Sequence, residues 1–152
     1  MKIMKRILTL MLVCTCLNFT GCGKNSSKLV AFRVNMNDKI PVRLNTEDGF
    51  EISSDLPFVV SQDGKALSTG SFLPKNAFEQ YRDNAFNNPN CKILQQGSTE
   101  DGNMYCMWSC NEKEFHYIIS IDGMDYSLHL ENTVSRDSAE DCFSHLRVGP
   151  NA

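Results

Sequence analysis

Two of the three histidines stand where they could act together. His116 and His129 fall in predicted strands at 115–121 and 126–130, which are joined by a turn at Asp122-Gly123. An Asp-Gly pair favours a tight hairpin, so the two histidines are predicted to lie close to each other on one face. A two-histidine metal patch or an acid–base pair would follow from that arrangement. A row of solvent-facing polar side chains is the interpretation that we favour from the sequence.

Other catalytic signatures are missing from the sequence. It contains no G-x-S-x-G nucleophile motif, no P-loop and no Rossmann glycine pattern. Glu140-Asp141 falls in the first turn of a predicted helix, where acidic residues favour the helix dipole without any function. His145 is assigned to the exposed side of the same helix. We therefore assign no catalytic residue, no cofactor and no metal, and expect a protein that is not an enzyme.

Four cysteines downstream of the N-terminal segment could form disulfide bonds. Cys91 and Cys110 flank the turn-rich stretch 97–103, and a hairpin centred near residues 99–100 places them opposite or nearly opposite each other. A Cys91–Cys110 disulfide is our leading prediction, and Cys106 could meet Cys142 where the last helix covers the sheet. Four buried free thiols acting as small hydrophobes are the alternative. A zinc site is disfavoured, because no histidine stands at matching spacing.

The N-terminus has the pattern of an export signal. Three basic residues precede an apolar run of 11 residues, 7–17, which is shorter than the roughly 20 residues of a membrane span. The run leads into Phe19-Thr20-Gly21-Cys22, which resembles the bacterial lipobox. The resemblance implies cleavage between Gly21 and Cys22, a diacylglycerol thioether on the Cys22 thiol and an acylated amino terminus. An ordinary signal peptide with an incidental cysteine is the alternative.

Length and charge then set the domain organisation. Removing the 21-residue signal from the 152-residue chain leaves 131 residues, enough for one domain with a sizeable core. We predict a signal peptide at 1–21, a lipidated tether at 22–28 and a single domain at 29–149. The signal contains three of the basic residues, so the net charge falls from −3 to −6. An acidic domain argues against a nucleic-acid partner.

Consecutive hairpins and two amphipathic helices predict the architecture. Strand patterns occupy 29–34, 40–44, 50–52, 58–60, 66–73 and the four strands of a meander from 91 to 130. The first helix is predicted to begin after Asn76, and the second is predicted to be capped by Ser138. An antiparallel sheet flanked by helices is an α+β fold.

The order of these elements resembles the PsbP-like family, whose members include plant photosystem subunits and small bacterial lipoproteins. The resemblance covers about two thirds of the mature chain. It implies an α/β/α sandwich and a binding or accessory role, and it transfers no catalytic residue to a numbered position. The closest local likeness joins four segments: Gly102-Asn103, Tyr117-Ile118-Ile119, Gly123-Met124-Asp125-Tyr126 and Ser135-Arg136-Asp137-Ser138-Ala139.

Three functions remain open at this point. The leading one is a non-enzymatic binding or accessory module, anchored by lipid to the extracytoplasmic face of a membrane and engaging a protein or another envelope component. An envelope enzyme using His116 and His129 is the second, and a passive structural or immunity-type lipoprotein is the third. Four aromatic residues of the meander are either core residues or a recognition surface: Trp108, Tyr105, Tyr117 and Tyr126.

Overall fold

The computed structural model describes residues 26–152, which form a β-rich fold. Of these residues, 50% are in strands and 19% are in helices. The predicted signal peptide, Cys22 and most of the predicted tether lie outside the described residues. In chain order the elements are β1 (Ser27–Arg33), β2 (Lys39–Asn45), a 3-10 turn (Glu47–Gly49), β3 (Phe50–Ile52), β4 (Phe58–Gln62), β5 (Lys65–Pro74), α1 (Ala77–Asn87), β6 (Cys91–Ser98), β7 (Met104–Cys110), β8 (Glu114–Ser120), β9 (Tyr126–Asn132), α2 (Arg136–His145) and β10 (Leu146–Val148).

The described strands form two antiparallel sheets. The larger sheet has seven strands in the order β3-β4-β5-β9-β8-β7-β6, so the meander from β6 to β9 joins the N-terminal hairpins through the β5–β9 pair. The smaller sheet has the order β1-β2-β10 and combines the first hairpin with the last strand of the chain. Neither helix among residues 26–152 has the length and apolar character required to cross a bilayer.

The seven-stranded sheet is covered differently on its two faces. On one face α1 contributes Phe78 and Ala85 to a small cluster with Trp108 and Ile118. On the other face the main core includes Phe32 and Val42 of the small sheet and Cys142 of α2. The molecule therefore has three layers: α1, the seven-stranded sheet, and a mixed layer made of the small sheet and α2.

The prediction of an α+β fold with an α/β/α sandwich is therefore wrong. The layer expected to be helical consists largely of β1, β2 and β10, and α2 occupies only part of it. Alternation of apolar and polar residues tells which face of a strand is buried but not which sheet the strand joins. The inward side chains of β2, Ile40, Val42 and Leu44, are fully buried against the other sheet.

Both helices lie near their predicted positions, with one changed boundary. The first begins after Asn76, as predicted. The second begins earlier than predicted, because Ser135 is its N-cap and the Ser135 side chain accepts a hydrogen bond from the Ser138 amide. The helix ends at His145, and the chain then pairs with β2 from Leu146 onward. The segment 146–148 is thus a strand, which supplies the third member of the small sheet.

Candidate functional site

The two histidines predicted to act together are in direct contact. The Nδ1 atom of His116 lies 3.2 Å from the Nε2 atom of His129. In the β8–β9 ladder His116 is opposite Glu131 and His129 is opposite Ile118, so the histidines are diagonal neighbours on the face that α1 covers. Their ring planes differ by 11° and their centroids are 5.3 Å apart. The rings are thus nearly parallel, and the two nitrogens are close enough for an N–H···N hydrogen bond.

A carboxylate near the pair favours one arrangement of its protons. The Glu114 Oε2 atom lies 3.9 Å from Nε2 of His116. A proton on that nitrogen faces the carboxylate and leaves Nδ1 of His116 free to accept a hydrogen bond from Nε2–H of His129. The three residues then form a chain from Glu114 through His116 to His129.

Aromatic rings enclose the histidine pair. The Trp108 ring stacks on His116 with centroids 5.1 Å apart and planes 16° apart, and it also lies 6.0 Å from the His129 ring. From helix α1, the Tyr81 ring approaches His129 at a centroid distance of 5.0 Å. The side chain of His116 is only 12% exposed. We call these four residues, Trp108, His116, His129 and Tyr81, the histidine cluster.

Burial keeps the histidine pair neutral. Burial and, to a lesser extent, the neighbouring His116 together lower the pKa of His129 to about 4. Burial also lowers the pKa of His116, although the negative charges of Glu131 and Glu114 oppose the shift. Both rings are therefore uncharged at neutral pH.

The histidine cluster lies away from the open clefts of the surface. One cleft of about 590 Å³ lies where β1 meets β3 and is lined by Lys28, Phe50, Ile52 and Val59 among others. Another, of about 500 Å³, lies beside the β8–β9 turn. Neither is lined by a histidine. Among residues 26–152, no group of three or more His, Cys, Asp or Glu side chains is placed to hold a metal ion.

The predicted disulfide between Cys91 and Cys110 is confirmed. The two residues are exact partners in the β6–β7 ladder, their Cα atoms are 4.2 Å apart, and their sulfur atoms are bonded. Cys106 and Cys142 are buried free thiols and do not pair. They lie on opposite sides of the seven-stranded sheet, Cys106 with the α1 cluster and Cys142 in the main core. Burial raises the pKa of both thiols.

The four aromatic residues considered as a recognition surface are not brought together. Trp108 is buried in the histidine cluster, and Tyr117 is buried on the opposite face of the sheet. Tyr105 is partly buried beside Tyr117, with their ring centroids 6.1 Å apart. Tyr126 donates a hydrogen bond to Asp38 at 2.7 Å, next to the first hairpin. Successive side chains of a strand point to opposite faces, so these four side chains pack in different layers of the fold.

Sequence reasoning missed two members of the histidine cluster. Tyr81 lies on α1, and nothing in the sequence shows which side chain of the sheet it meets. Trp108 could have been placed, because it is the direct partner of His116 in the β7–β8 hairpin. The tight turn 111–113 fixes the register of β7 against β8 and so places Trp108 opposite His116.

Comparison of the chain with protein-family models, with curated proteins and with solved structures finds no match.

Proposed function

We propose that this protein is a lipoprotein, anchored through lipid on Cys22 to the extracytoplasmic face of a bacterial membrane, and that it serves there as a non-enzymatic binding or accessory module. The lipobox-like segment Phe19-Thr20-Gly21-Cys22 carries the proposal, and the position of the first strand agrees with it. β1 begins at Ser27, five positions after Cys22. Five residues span at most roughly 17 Å, so a lipid on Cys22 would hold the domain against the membrane surface.

The enclosure of the histidine cluster supports a role in binding over a role in catalysis. A general base must reach the proton that it removes, within about 3 Å or through one water molecule. The nitrogens that face each other in His116 and His129 are used in their mutual hydrogen bond, and Trp108 and Tyr81 cover the rings. We interpret the cluster as part of the packing between α1 and the sheet.

Metabolic labelling with radioactive palmitate tests the anchor. We expect the mature wild-type protein to carry label and to sediment with membranes, and the Cys22→Ala variant to lose both properties. Cys14→Ala, within the predicted signal, is the matched control and should keep both. An unlabelled mature wild-type protein would refute the proposal.

Cross-linking in intact cells tests the binding role. A membrane-impermeant cross-linker should join the wild-type protein to an envelope component, and the adduct should be lost when Cys22→Ala releases the domain. If no adduct forms while the purified protein turns over a substrate, the binding role is wrong.

An envelope enzyme is the second candidate, and the convergence of Glu114, His116 and His129 favours it. Diethyl pyrocarbonate, which acylates accessible neutral imidazoles, separates the two candidates. His145 is partly exposed, its ring stacks on Phe50, and its Nε2 has no partner among residues 26–152, so we expect it to react first in the folded protein. His116 and His129 should react only after unfolding. Rapid modification of either histidine in the folded protein would favour the enzyme.

A further inference from the structure

The small sheet has an unusual charge composition. The three strands have the sequences SKLVAFR, KIPVRLN and LRV, with five basic residues and no acidic residue. The whole chain, in contrast, has a net charge of −3. The positive charge is thus concentrated in one sheet of an acidic protein.

The strand registers place four of these cations on one face. Arg33 is opposite Lys39, and Arg43 is opposite both Leu29 on β1 and Arg147 on β10. Paired residues of neighbouring strands point to the same face, and the alternate residues of β1 and β2, such as Phe32 and Ile40, are buried in the core. We call the outward side the basic face.

The basic face also exposes two apolar side chains. Leu29 is 53% exposed in the middle of the face, and Met36 is 91% exposed in the turn between β1 and β2. Cations around exposed apolar side chains are typical of proteins that lie on a membrane surface.

Two of the cations have no partner among the residues that the structure describes. Neither Arg33 nor Lys39 forms an ion pair or a side-chain hydrogen bond with another residue of the described range 26–152. Arg147 pairs with Glu100 and Asp101 at 3.2 and 3.1 Å. Arg43 donates to the Ser27 hydroxyl and to the Ala152 carbonyl oxygen. The cations without a partner in that range therefore lie at the Arg33–Lys39 end, next to Met36 and to the Asp38 carboxylate, which accepts hydrogen bonds from Tyr126 and Asn35.

The proposed anchor and the charge of the face together point to the partner. Ser27 itself belongs to the basic face, opposite Asn45. A lipidated Cys22 five residues before Ser27 would bring this end of the basic face close to the headgroups. Anionic headgroups complement the charge of the face, and helix α1 and the histidine cluster lie on the far side of the seven-stranded sheet.

We propose that the basic face docks onto the anionic phospholipid headgroups of the membrane that holds the lipid anchor. This inference rests on the proposed function, since the anchor defines which surface lies within reach. Docking fixes the orientation of the domain: the small sheet lies along the bilayer, and α1 faces away from it, toward envelope partners.

Vesicle binding by the full mature chain, made without lipid by Cys22→Ser, tests the proposal. The probes are vesicles of phosphatidylcholine alone and of phosphatidylcholine mixed with phosphatidylglycerol. We expect binding to the anionic vesicles only, and weaker binding as salt is raised. Reversing two charges with Arg33→Glu and Lys39→Glu should weaken binding by about tenfold or more, because each cation at an anionic surface is worth roughly fivefold in affinity.

The matched control makes the same change of charge elsewhere. Lys92 and Lys113 are exposed but lie on β6 and in the turn before β8, outside the small sheet. Lys92→Glu with Lys113→Glu should bind almost as the wild type does. Equal loss in the two double variants would mean that net charge alone drives binding, and equal binding to both kinds of vesicle would mean that headgroup charge plays no part. Either result overturns the proposal.

Thiol labelling of the lipidated protein tests the orientation. Met36→Cys on the basic face should be protected from a bulky maleimide in anionic membranes and should become reactive when detergent is added. Phe86→Cys is the control, because Phe86 is 79% exposed on α1 and should react equally in both conditions. Equal labelling of the two sites in membranes would refute docking. If the protein carries palmitate but its vesicle binding does not depend on Arg33 and Lys39, the lipid anchor is supported and docking of the basic face is refuted. If binding depends on these charges but the protein carries no palmitate, docking is supported and the anchor is refuted.

Discussion

His116 and His129 share a hydrogen bond of 3.2 Å between ring nitrogens beneath the only helix on their side of the described sheet. The pair is neutral because it is buried, and a proton added to either ring would place a charge between the Trp108 ring and α1. The contact therefore links the packing of α1 to pH.

The first prediction concerns this pH dependence. In the unfolded chain His129 has an ordinary pKa of 6.5, and in the folded protein its pKa is lowered to about 4. As pH falls through this interval, the unfolded state binds a proton that the folded state does not bind, so the free energy of unfolding decreases. The loss should be on the order of 3 kcal/mol between pH 7 and pH 4. Urea unfolding at a series of pH values measures it.

Two substitutions separate the contribution of this histidine from general acid effects. His129→Gln, which keeps polar atoms without a titratable ring, should flatten the curve between pH 6.5 and 4. Gln80→Ala, at an exposed position of α1, removes no titratable group and should leave the slope unchanged. If His129→Gln retains the wild-type slope, the buried pair is not its source.

The second prediction concerns the disulfide between Cys91 and Cys110. The bond closes a loop with a sequence separation of 19 and fastens the edge strand β6 to β7. Replacing both cysteines with Ala should lower the free energy of unfolding by about 3 kcal/mol, mainly by releasing a constraint on the unfolded chain. Calorimetry of the two forms measures the change.

Peptide mapping without reductant provides the control for that experiment. It should find Cys91 joined to Cys110, while Cys106 and Cys142 react with alkylating reagent only after unfolding. Adding reductant to the variant should have no further effect on its stability. Alkylation of Cys91 in native, unreduced protein would contradict the assigned pairing.

The third prediction concerns the contact between Gly70 and Phe58. The two residues are partners in the β4–β5 ladder, and the ring of Phe58 lies over Gly70 where a β-carbon would overlap with it. Gly70→Ala must displace a fully buried ring, so it should lower the free energy of unfolding by about 1–3 kcal/mol. Thr69→Ala on the same strand is exposed and should change stability far less. Chemical unfolding of both variants decides the point.

The fourth prediction concerns Asp38 and Tyr126, which tie the first hairpin to β9. The Tyr126 hydroxyl donates to Asp38 at 2.7 Å and, with Asn35, holds the pKa of that carboxyl below its ordinary value. Tyr126→Phe should therefore raise the pKa of Asp38 toward 3.8, as carbon-13 NMR of the carboxyl would show. Tyr105→Phe is the control and should leave the pKa of Asp38 unchanged. An unchanged Asp38 pKa in Tyr126→Phe would mean that the hydrogen bond does not cause the shift.

The pairing of residues within each hairpin could be predicted from the sequence, because short turns fix the register of a hairpin. Counting outward from the turn at 99–100 placed Cys91 near Cys110, and counting from Gly123 placed His116 near His129. The same count did not show that the histidines are enclosed. Enclosure depends on Tyr81, which arrives from a helix more than thirty positions earlier in the chain.

The division of strands between the two sheets was decided only by tertiary structure. β2 alternates as a half-buried strand should, and that alternation is equally consistent with a place in the large sheet. Its partner β10 lies about a hundred residues later, and the pairing of Leu44 with Leu146 leaves no local signal. The sequence by itself determined the hairpins and the helices, and it predicts lipidation at Cys22. Only long-range packing decided which strands share a sheet, and with it where the cations of the first and last strands come together, because contacts between distant segments form wherever apolar faces match in three dimensions.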